Sequence, residues 1–245
     1  MIVQEIEIST ADGTSEGYLY LPEGEGNFPG VIHLTDIGGI RPIQHAMAQR
    51  LAGEGYCVLM PNVFYRTGRP PIFPDGANMS NELGRQRYAE ITAPLTPEAI
   101  ERDVSAYVDF LADQDAVSGT AMGVVGYCYT GALALRTAAR RPDRIGAAAS
   151  FHGARLFSDA PGSPHLLLPR IHAHLYFGHA VEDRSMPQEA IDGLSQALAA
   201  WGGAYESEVY AGAYHGWTVP DSPVYNPGQA EHAYQKLKEL FAGSL

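Results

Sequence analysis

The sequence predicts an α/β fold with a mostly parallel central sheet, an N-terminal antiparallel hairpin and helices on both faces. Two observations support this prediction. Short apolar runs of strand length alternate with helical patterns along most of the chain, which is the order typical of a parallel sheet. Before these runs, two segments of alternating polar and apolar residues flank a turn at 11–14, as in a hairpin.

Length and composition indicate a globular protein and argue against a nucleic-acid or membrane partner. The chain has 245 residues, 45% of them hydrophobic, which is enough for a sizeable core. The formal net charge is −12 and no basic stretch exceeds Arg140-Arg141, so we expect no nucleic-acid partner. No apolar run is long enough to span a membrane, and the N-terminus lacks a signal-peptide pattern. We therefore expect a single cytoplasmic domain over residues 1–245, with no membrane partner.

The first half of the chain alternates strands and helices in the order of a parallel sheet. Hairpin strands are predicted at 4–8 and 15–21, and a helix at 42–53 separates buried strands at 30–34 and 56–60.

The segment 62–95 is rich in proline, glycine and arginine and shows only one short helical pattern, around 82–91. Long irregular segments inside compact domains are usually functional or disordered. We interpret this one as a lid or a substrate-facing excursion.

The second half begins with a helix from Pro97 to about Asp113, for which Thr96 is the predicted N-cap. A loop is expected at 154–169. The remaining predicted elements are strands at 123–127, 145–151, 171–177 and 205–210, and helices at 131–140, 187–201 and 229–241.

Cys128 lies between a predicted strand and a predicted helix, with Gly126 before it and Gly131 after it. This arrangement matches the nucleophile elbow, usually written G-x-S-x-G, except that Thr130 stands where glycine is expected. A helix N-terminus beside the sulfur favours a thiolate. The alternative is a buried structural cysteine, which is how we interpret Cys57 in its apolar run.

Four reactive residues follow the predicted ends of strands, namely Asp36, Cys128, Asp183 and His215. In parallel α/β sheets, ligands bind outside those ends. The order nucleophile, acid, histidine is that of the α/β hydrolases. In this interpretation Cys128 is the nucleophile, His215 accepts its proton and Asp183 orients the imidazole.

Backbone N–H groups of Ile37 and Tyr129 are the predicted oxyanion hole. Two members of the triad also have a non-catalytic interpretation. Asp183 is alternatively a solvated surface acid, and His215 is alternatively a packed, hydrogen-bonded ring. A competing metal set would use His172, His174, His179, Glu182 and Asp183. We expect no metal site, since alternate residues of a central strand normally lie in the core.

Four motifs together resemble the dienelactone hydrolase (carboxymethylenebutenolidase) family of α/β hydrolases over nearly the whole chain. They lie at 52–61, at 126–131, at 178–187 with Gly178, Asp183 and Met186-Pro187, and at 210–217 with His215. The resemblance implies hydrolysis of lactones or esters through a Cys-His-Asp triad, with no cofactor. We expect a small-molecule substrate and a monomer or homodimer.

The sequence departs from the family pattern at three places. The family has Glu where this chain has Asp36. The resemblance implies that Asp36 modulates the nucleophile. Thr130 replaces glycine in the elbow, and the stretch after His215 lacks an arginine that grips the substrate carboxylate. Other residues are candidates for substrate contact: the cations Arg66, Arg85 and Arg87, and the aromatic residues Tyr65, Phe73, Tyr88, Tyr129 and Trp217. These departures leave two alternatives open: a carboxylesterase for bulkier, less anionic esters, and a non-catalytic binding protein.

Overall fold

The computed structural model describes residues 1–24 and 26–245. The chain divides into two compact units, Met1–Ser118 and Gly119–Leu245. In the described part of the chain, no helix combines the length and apolar character needed to cross a membrane. The single domain over 1–245 stays a prediction.

The first unit contains the predicted hairpin. Strands β1 (Ile2–Thr10) and β2 (Gly13–Leu21) pair antiparallel along their full length. Strand β2 also pairs antiparallel with β4 (Cys57–Pro61), which pairs parallel with β3 (Phe28–Leu34). The order in this unit is therefore β1-β2-β4-β3. Both the hairpin and the parallel strand pair are confirmed.

Three helices of the first unit match the predicted helical patterns. They are α1 (Pro42–Ala52), α2 (Glu82–Thr92) and α3 (Pro97–Ala112). Proline opens α1 and α3, where its missing N–H costs nothing. The side chains of Asn81 and Thr96 cap α2 and α3 by accepting a hydrogen bond from a backbone N–H three residues later.

The segment 62–95 is tied to its own unit by arginine contacts. Arg66 forms ion pairs at 2.6 Å with both Asp12 and Asp103. Arg87 donates from Nε to the carbonyl oxygen of Ile72 at 2.7 Å. These contacts explain how a segment with few strand or helix patterns keeps a defined course. Its role as a lid stays a prediction.

The second unit holds four parallel strands in sequence order. They are β5 (Val117–Tyr127), which starts at the end of the first unit, β6 (Ile145–Phe151), β7 (His174–His179) and β8 (Tyr205–Val209). Each pairs parallel with the next. A parallel arrangement was predicted for these strands and is confirmed.

The carboxyl ends of these strands reach the same level. Tyr127 pairs with Phe151, Phe151 pairs with Gly178, and His179 pairs with Val209. Residues that directly follow these positions therefore begin side by side along one edge of the sheet, which is where ligands bind in such folds.

Three helices complete the second unit: α4 (Gly131–Arg140), α5 (Gln188–Trp201) and α6 (Pro227–Ala242). Eight of the ten residues of α4 are buried, and this helix packs against β6. All three helices were predicted within three residues of their observed bounds.

Three predictions in this unit are wrong. Strand β5 starts at Val117 and not at 123, and the other two errors concern the segment before β7. The predicted loop at 154–169 contains a 3₁₀-helix, Pro164–Arg170, opened by its proline. The N–H of Ile171 bonds the carbonyl oxygen of Leu168, so Ile171 still closes that helical turn. Strand β7 therefore starts at His174 and not at 171.

Candidate active site

Cys128 sits at a sharp turn between β5 and α4. Its φ is +58°, in the left-handed region that side-chain-bearing residues rarely adopt. A Cβ on Gly126 would come within 2.2 Å of the Thr130 carbonyl oxygen, and one on Gly131 within 2.4 Å of Ser150 Oγ. The turn therefore requires glycine at both positions, as the elbow pattern predicted.

Thr130 stabilises the turn at Cys128 through two hydrogen bonds to the backbone. Its buried hydroxyl accepts a hydrogen bond from the N–H of Tyr127 at 2.9 Å and donates to the carbonyl oxygen of the same residue at 3.0 Å. A glycine at this position would leave both backbone groups without these partners. The departure from the elbow pattern thus supplies a clamp that fixes the turn at Cys128.

The three predicted triad residues are neighbours in the structure. His215 Nδ1 lies 2.6 Å from Oδ2 of the buried Asp183. Cys128 is close enough to His215 to raise the pKa of the imidazole. Because Nδ1 faces the carboxylate, Nε2 is the nitrogen that remains for the sulfur. The side chains thus form a row from thiol to imidazole to carboxylate.

Ser185 satisfies the second oxygen of the carboxylate. Its backbone N–H and its hydroxyl both donate to Asp183 Oδ1, at 2.8 Å and 2.7 Å. The same hydroxyl lies 3.3 Å from His215 Nδ1. Sequence reasoning missed Ser185, although its place two residues after a predicted triad acid is typical of a side chain that caps a turn.

The charges of the row favour the ionised forms. Burial lowers the pKa of His215, but hydrogen bonds to Asp183 and Cys128 outweigh burial and raise it to about 10. Burial raises the pKa of Asp183, yet the hydrogen bond from His215 brings it below its ordinary value of 3.8. At neutral pH a protonated imidazole of His215 therefore lies beside the sulfur of Cys128.

His152 is a second histidine at the same edge, and sequence reasoning did not single it out. It directly follows β6, and its ring centroid lies 5.2 Å from that of His215 in a T-shaped arrangement. Its Nε2 is 2.8 Å from the hydroxyl of Thr218. The signal that could have found it is its position, because Cys128 directly follows β5 in the same way.

Backbone strain is concentrated around these residues. In the described part of the chain, the side-chain-bearing residues with positive φ are Cys128, His152, Arg155 and Glu182, at values between +40° and +58°. All four follow strands of the second unit. The N–H of Ala154 donates to the carbonyl oxygen of Cys128 at 3.0 Å, and that of Arg155 to Ser185 at 2.9 Å. Strained backbone of this kind clusters at functional sites.

Asp36 forms a bidentate ion pair within the first unit. Arg41 donates to its two carboxylate oxygens at 2.6 Å and 2.8 Å, and the N–H of Gly38 donates to one of them at 2.9 Å. The half-buried Ile37 lies within this turn. The predicted roles of Asp36 as a modulator and of Ile37 in the oxyanion hole stay predictions.

The candidate substrate cations differ in their contacts. Arg87 is occupied by the carbonyl oxygen of Ile72 and by an ion pair at 2.8 Å with Glu90. Arg85 is exposed and donates to the carbonyl oxygen of Ser80 at 2.9 Å. Of these two arginines, Arg85 is therefore the more accessible to an anion.

The two aromatic candidates of the second unit also differ. Trp217 is fully buried between His152 and Tyr210, with ring centroids 5.0 Å and 4.8 Å away. This packing favours a supporting role for Trp217 over contact with substrate. Tyr129 directly follows Cys128 in the short 3₁₀-turn that leads into α4. Its predicted contribution to an oxyanion hole stays a prediction.

The competing metal set does not assemble. Among the described residues, no group of three or more His, Cys, Asp or Glu side chains is arranged to hold a metal ion. The buried His179 instead lies 3.2 Å from Ser207 Oγ through Nε2 and stacks on Phe177. Burial lowers the pKa of His179 to about 4, so the ring is neutral at physiological pH.

Comparison with known proteins gives matches over nearly the full length. The model of the dienelactone hydrolase family matches residues 15–245. A protein of Synechocystis sp. provisionally named carboxymethylenebutenolidase is 29% identical over 233 residues, 94% of this chain and 92% of the relative. The carboxymethylenebutenolidase of Rhodococcus opacus is 30% identical over 233 residues, 91% of this chain and 84% of the relative.

A solved structure shows the same fold. The provisionally named dienelactone hydrolase of Klebsiella pneumoniae subsp. pneumoniae superposes with a TM-score of 0.87 and covers 98% of each chain at 22% identity. The α/β-hydrolase fold predicted from the sequence is therefore confirmed.

The ion pair between His215 and Asp183 should make stability depend on pH. The pKa of His215 is raised from 6.5 to about 10, so its contribution is complete below 6.5 and is lost as the pH rises towards 10. The contribution of Asp183 is complete above 3.8 and is lost in acid. Urea denaturation measures the difference in unfolding free energy between wild type and His215→Gln. We expect this difference to be largest between pH 3.8 and pH 6.5, where both contributions are complete.

His232→Gln is the matched control, because His232 pairs with Glu208 at 3.1 Å on the surface, where ion pairs contribute little. A His215→Gln difference that stays constant from pH 5 to pH 10 would contradict the raised pKa.

Proposed function

The chain belongs to the dienelactone hydrolase family, and on that premise we propose that it hydrolyses small lactones or esters through Cys128, His215 and Asp183. The observation that supports this most strongly is the row of thiol, imidazole and carboxylate, with 2.6 Å between His215 Nδ1 and Asp183 Oδ2. Covalent catalysis requires a nucleophile, a base within reach and a group that orients the base. In this row, Cys128 is the nucleophile, His215 is the base and Asp183 orients the base.

In the acylation step, the thiolate sulfur of Cys128 attacks the carbonyl carbon and forms a C–S bond, while the carbonyl electron pair moves to oxygen. The tetrahedral intermediate then collapses, and the C–O bond to the leaving group breaks. The imidazolium of His215 gives its Nε2 proton to the departing oxygen. The product is a thioester acyl-enzyme. With a lactone, the freed hydroxyl stays attached to the acyl chain.

In the deacylation step, neutral His215 accepts a proton from a water molecule as that water attacks the thioester carbon. The C–S bond breaks, the carboxylic acid leaves and the thiolate of Cys128 returns beside an imidazolium. Asp183 stabilises that positive charge and keeps the ring in the orientation that both steps need. The N–H of Tyr129 is the proposed donor to the oxyanion in each tetrahedral intermediate.

Removing the nucleophile should abolish turnover. We expect Cys128→Ala to lower kcat/KM for an activated aryl ester and for a dienelactone by about a thousandfold or more, because no sulfur remains to form the thioester. Steady-state assays with both substrates measure this. Cys57→Ala is the matched control, since Cys57 is fully buried in β4 and should leave turnover close to wild type.

Turnover by Cys128→Ala at the wild-type rate would contradict the proposal. A wild-type protein that turns over no ester, and whose Cys128 is alkylated by iodoacetamide no faster than a free thiol, would favour the non-catalytic binding protein instead.

A specific observation favours less anionic substrates within this reaction class. Two of the three candidate cations, Arg66 and Arg87, are already paired with carboxylates of the first unit. The formal charge of −12 also repels anions at long range. We therefore propose, as the second candidate, a carboxylesterase acting on bulkier, less anionic esters.

This candidate predicts the substrate preference. We expect kcat/KM for a neutral aryl ester to equal or exceed that for a carboxylate-bearing lactone of similar size, and Arg85→Gln to leave both values within about twofold. Parallel steady-state assays measure the ratio of kcat/KM between the two substrates and the ratio between Arg85→Gln and wild type. Arg87→Gln is the control from the same helix. A preference for the anionic lactone that Arg85→Gln removes would contradict the candidate and assign the carboxylate contact to Arg85.

A further inference from the structure

His152 occupies a position that the proposed reaction does not use. Its side chain is 1% exposed, and its backbone N–H donates to the carbonyl oxygen of Gly178 at 2.7 Å. That bond and the end of β6 fix its backbone from two sides. The residue nevertheless has a φ of +40°, which is costly for a residue with a side chain. Such strain in a rigid part of the sheet indicates a constraint on where the ring must lie.

The ring of His152 contacts the loop that carries His215. Thr218 contributes the hydroxyl 2.8 Å from Nε2, and Trp217 packs edge-to-face on the ring at 5.0 Å. The ring centroid of His215 itself lies 5.2 Å away. One ring therefore contacts three of the four residues from 215 to 218.

Other hydrogen bonds of the described residues also hold this loop, among them the bond between His215 and Asp183. Val181 donates its N–H to the carbonyl oxygen of Ala213 at 2.8 Å, on the approach to His215. Beyond His215, the φ of Gly216 is +107°, a conformation that gives the chain a sharp change of direction. The contact between His152 and Thr218 adds a side-chain bond that anchors the loop just after the proposed base, where the carbonyl oxygen of Trp217 also accepts from the N–H of Asn226 at 3.1 Å.

The polar atoms of His152 support a defined neutral ring. Nδ1 is buried and has no hydrogen-bond partner among the described residues. The less costly tautomer carries its hydrogen on Nε2 and donates it to Thr218 Oγ1, because a buried lone pair without a partner costs less than a buried N–H without one. The ring then presents no charge to its neighbours.

Titratable groups that face the ring include His215, Asp183 and the phenol of Tyr127, whose ring centroid lies 6.2 Å away. Burial, and next the positive charge of His215, hold the pKa of His152 well below its ordinary value of 6.5. His152 therefore stays neutral while His215 is protonated, and the two rings can remain in contact without repulsion between like charges.

We propose that His152 is a positioning residue that fixes the imidazole of His215 between Cys128 and Asp183, acting through Thr218 and through its edge-to-face contact with the His215 ring. The inference rests on the proposed function, since it deepens the role of His215 as the base. Without the Thr218 bond, the loop and the ring on it sample more orientations, and the hydrogen bonds that keep His215 protonated are formed for less of the time.

Thr218→Val tests this proposal, because it removes the hydroxyl and keeps the shape of the side chain. Two readouts need no substrate: the NMR titration of the His215 imidazole, and the pH profile of Cys128 alkylation by iodoacetamide. We expect the pKa of His215 to fall by about one pH unit, and the pH profile of Cys128 alkylation to shift by a similar amount. On an ester substrate, kcat should fall while KM stays close to wild type. His152→Phe should give the same pattern.

Two further variants separate positioning from general stability. Thr218→Ser keeps the hydroxyl and should restore the wild-type titration and alkylation profile. Ser207→Ala removes the equivalent hydroxyl from another buried histidine, His179, and should change neither readout.

The proposal is overturned if Thr218→Val titrates and alkylates like Ser207→Ala. It is also overturned if Thr218→Val fails to fold, since the contact would then be structural. A wild-type protein without esterase activity, combined with the expected titration shift in Thr218→Val, would reject the proposed function and retain the positioning role.

Discussion

The hydrogen bond between His215 Nδ1 and Asp183 Oδ2 is the interaction on which the proposed chemistry depends. At 2.6 Å, between a half-buried ring and a buried carboxylate, it fixes which nitrogen faces the sulfur. It is also the largest of the effects that raise the pKa of His215. An imidazole that remains protonated at neutral pH has a proton ready for the leaving group of the proposed reaction. The same hydrogen bond to Asp183 thus sets both the orientation and the charge of the His215 imidazole.

The parallel register of the second unit makes this bond possible. Because β5, β6, β7 and β8 end at the same level, the residues after each strand start as neighbours although they are far apart in the sequence. The backbone then departs from ordinary geometry at Cys128, His152 and Glu182 to aim side chains along that edge. Glycine at 126 and 131 and the Thr130 clamp hold the sharpest of these turns. Packing and hydrogen bonding elsewhere therefore support the strained conformation at the nucleophile.

Much of the second unit could be predicted because its pattern is strong. Apolar runs and capped helices marked the elements, and the strand ends brought together Cys128, Asp183 and His215. The bounds were predicted less well where sequence signals conflict. The start of β5 was missed because Ser118, Gly119 and Thr120 are typical of loops, yet they belong to the strand.

Contacts between side chains could not be predicted in the same way. Ser185 and Arg41 acquire their roles from partners that only the folded backbone places, the carboxylates of Asp183 and Asp36. Periodicity identifies which face of an element is buried, but it does not reveal which buried polar atoms meet. His152 illustrates this limit, because its position after β6 indicates the edge of the sheet but not a ring packed against His215.

The most direct test of the central claim is to identify the atom that carries the acyl group during turnover. A slowly deacylated aryl ester is mixed with the protein, the reaction is quenched in acid within the burst of phenolate release, and the peptides are analysed by mass spectrometry. The account predicts one acyl group on the peptide that contains Cys128, formed in step with the burst. Acylation of Ser185, whose hydroxyl lies 3.3 Å from His215 Nδ1, or a burst without acylated Cys128, would contradict it.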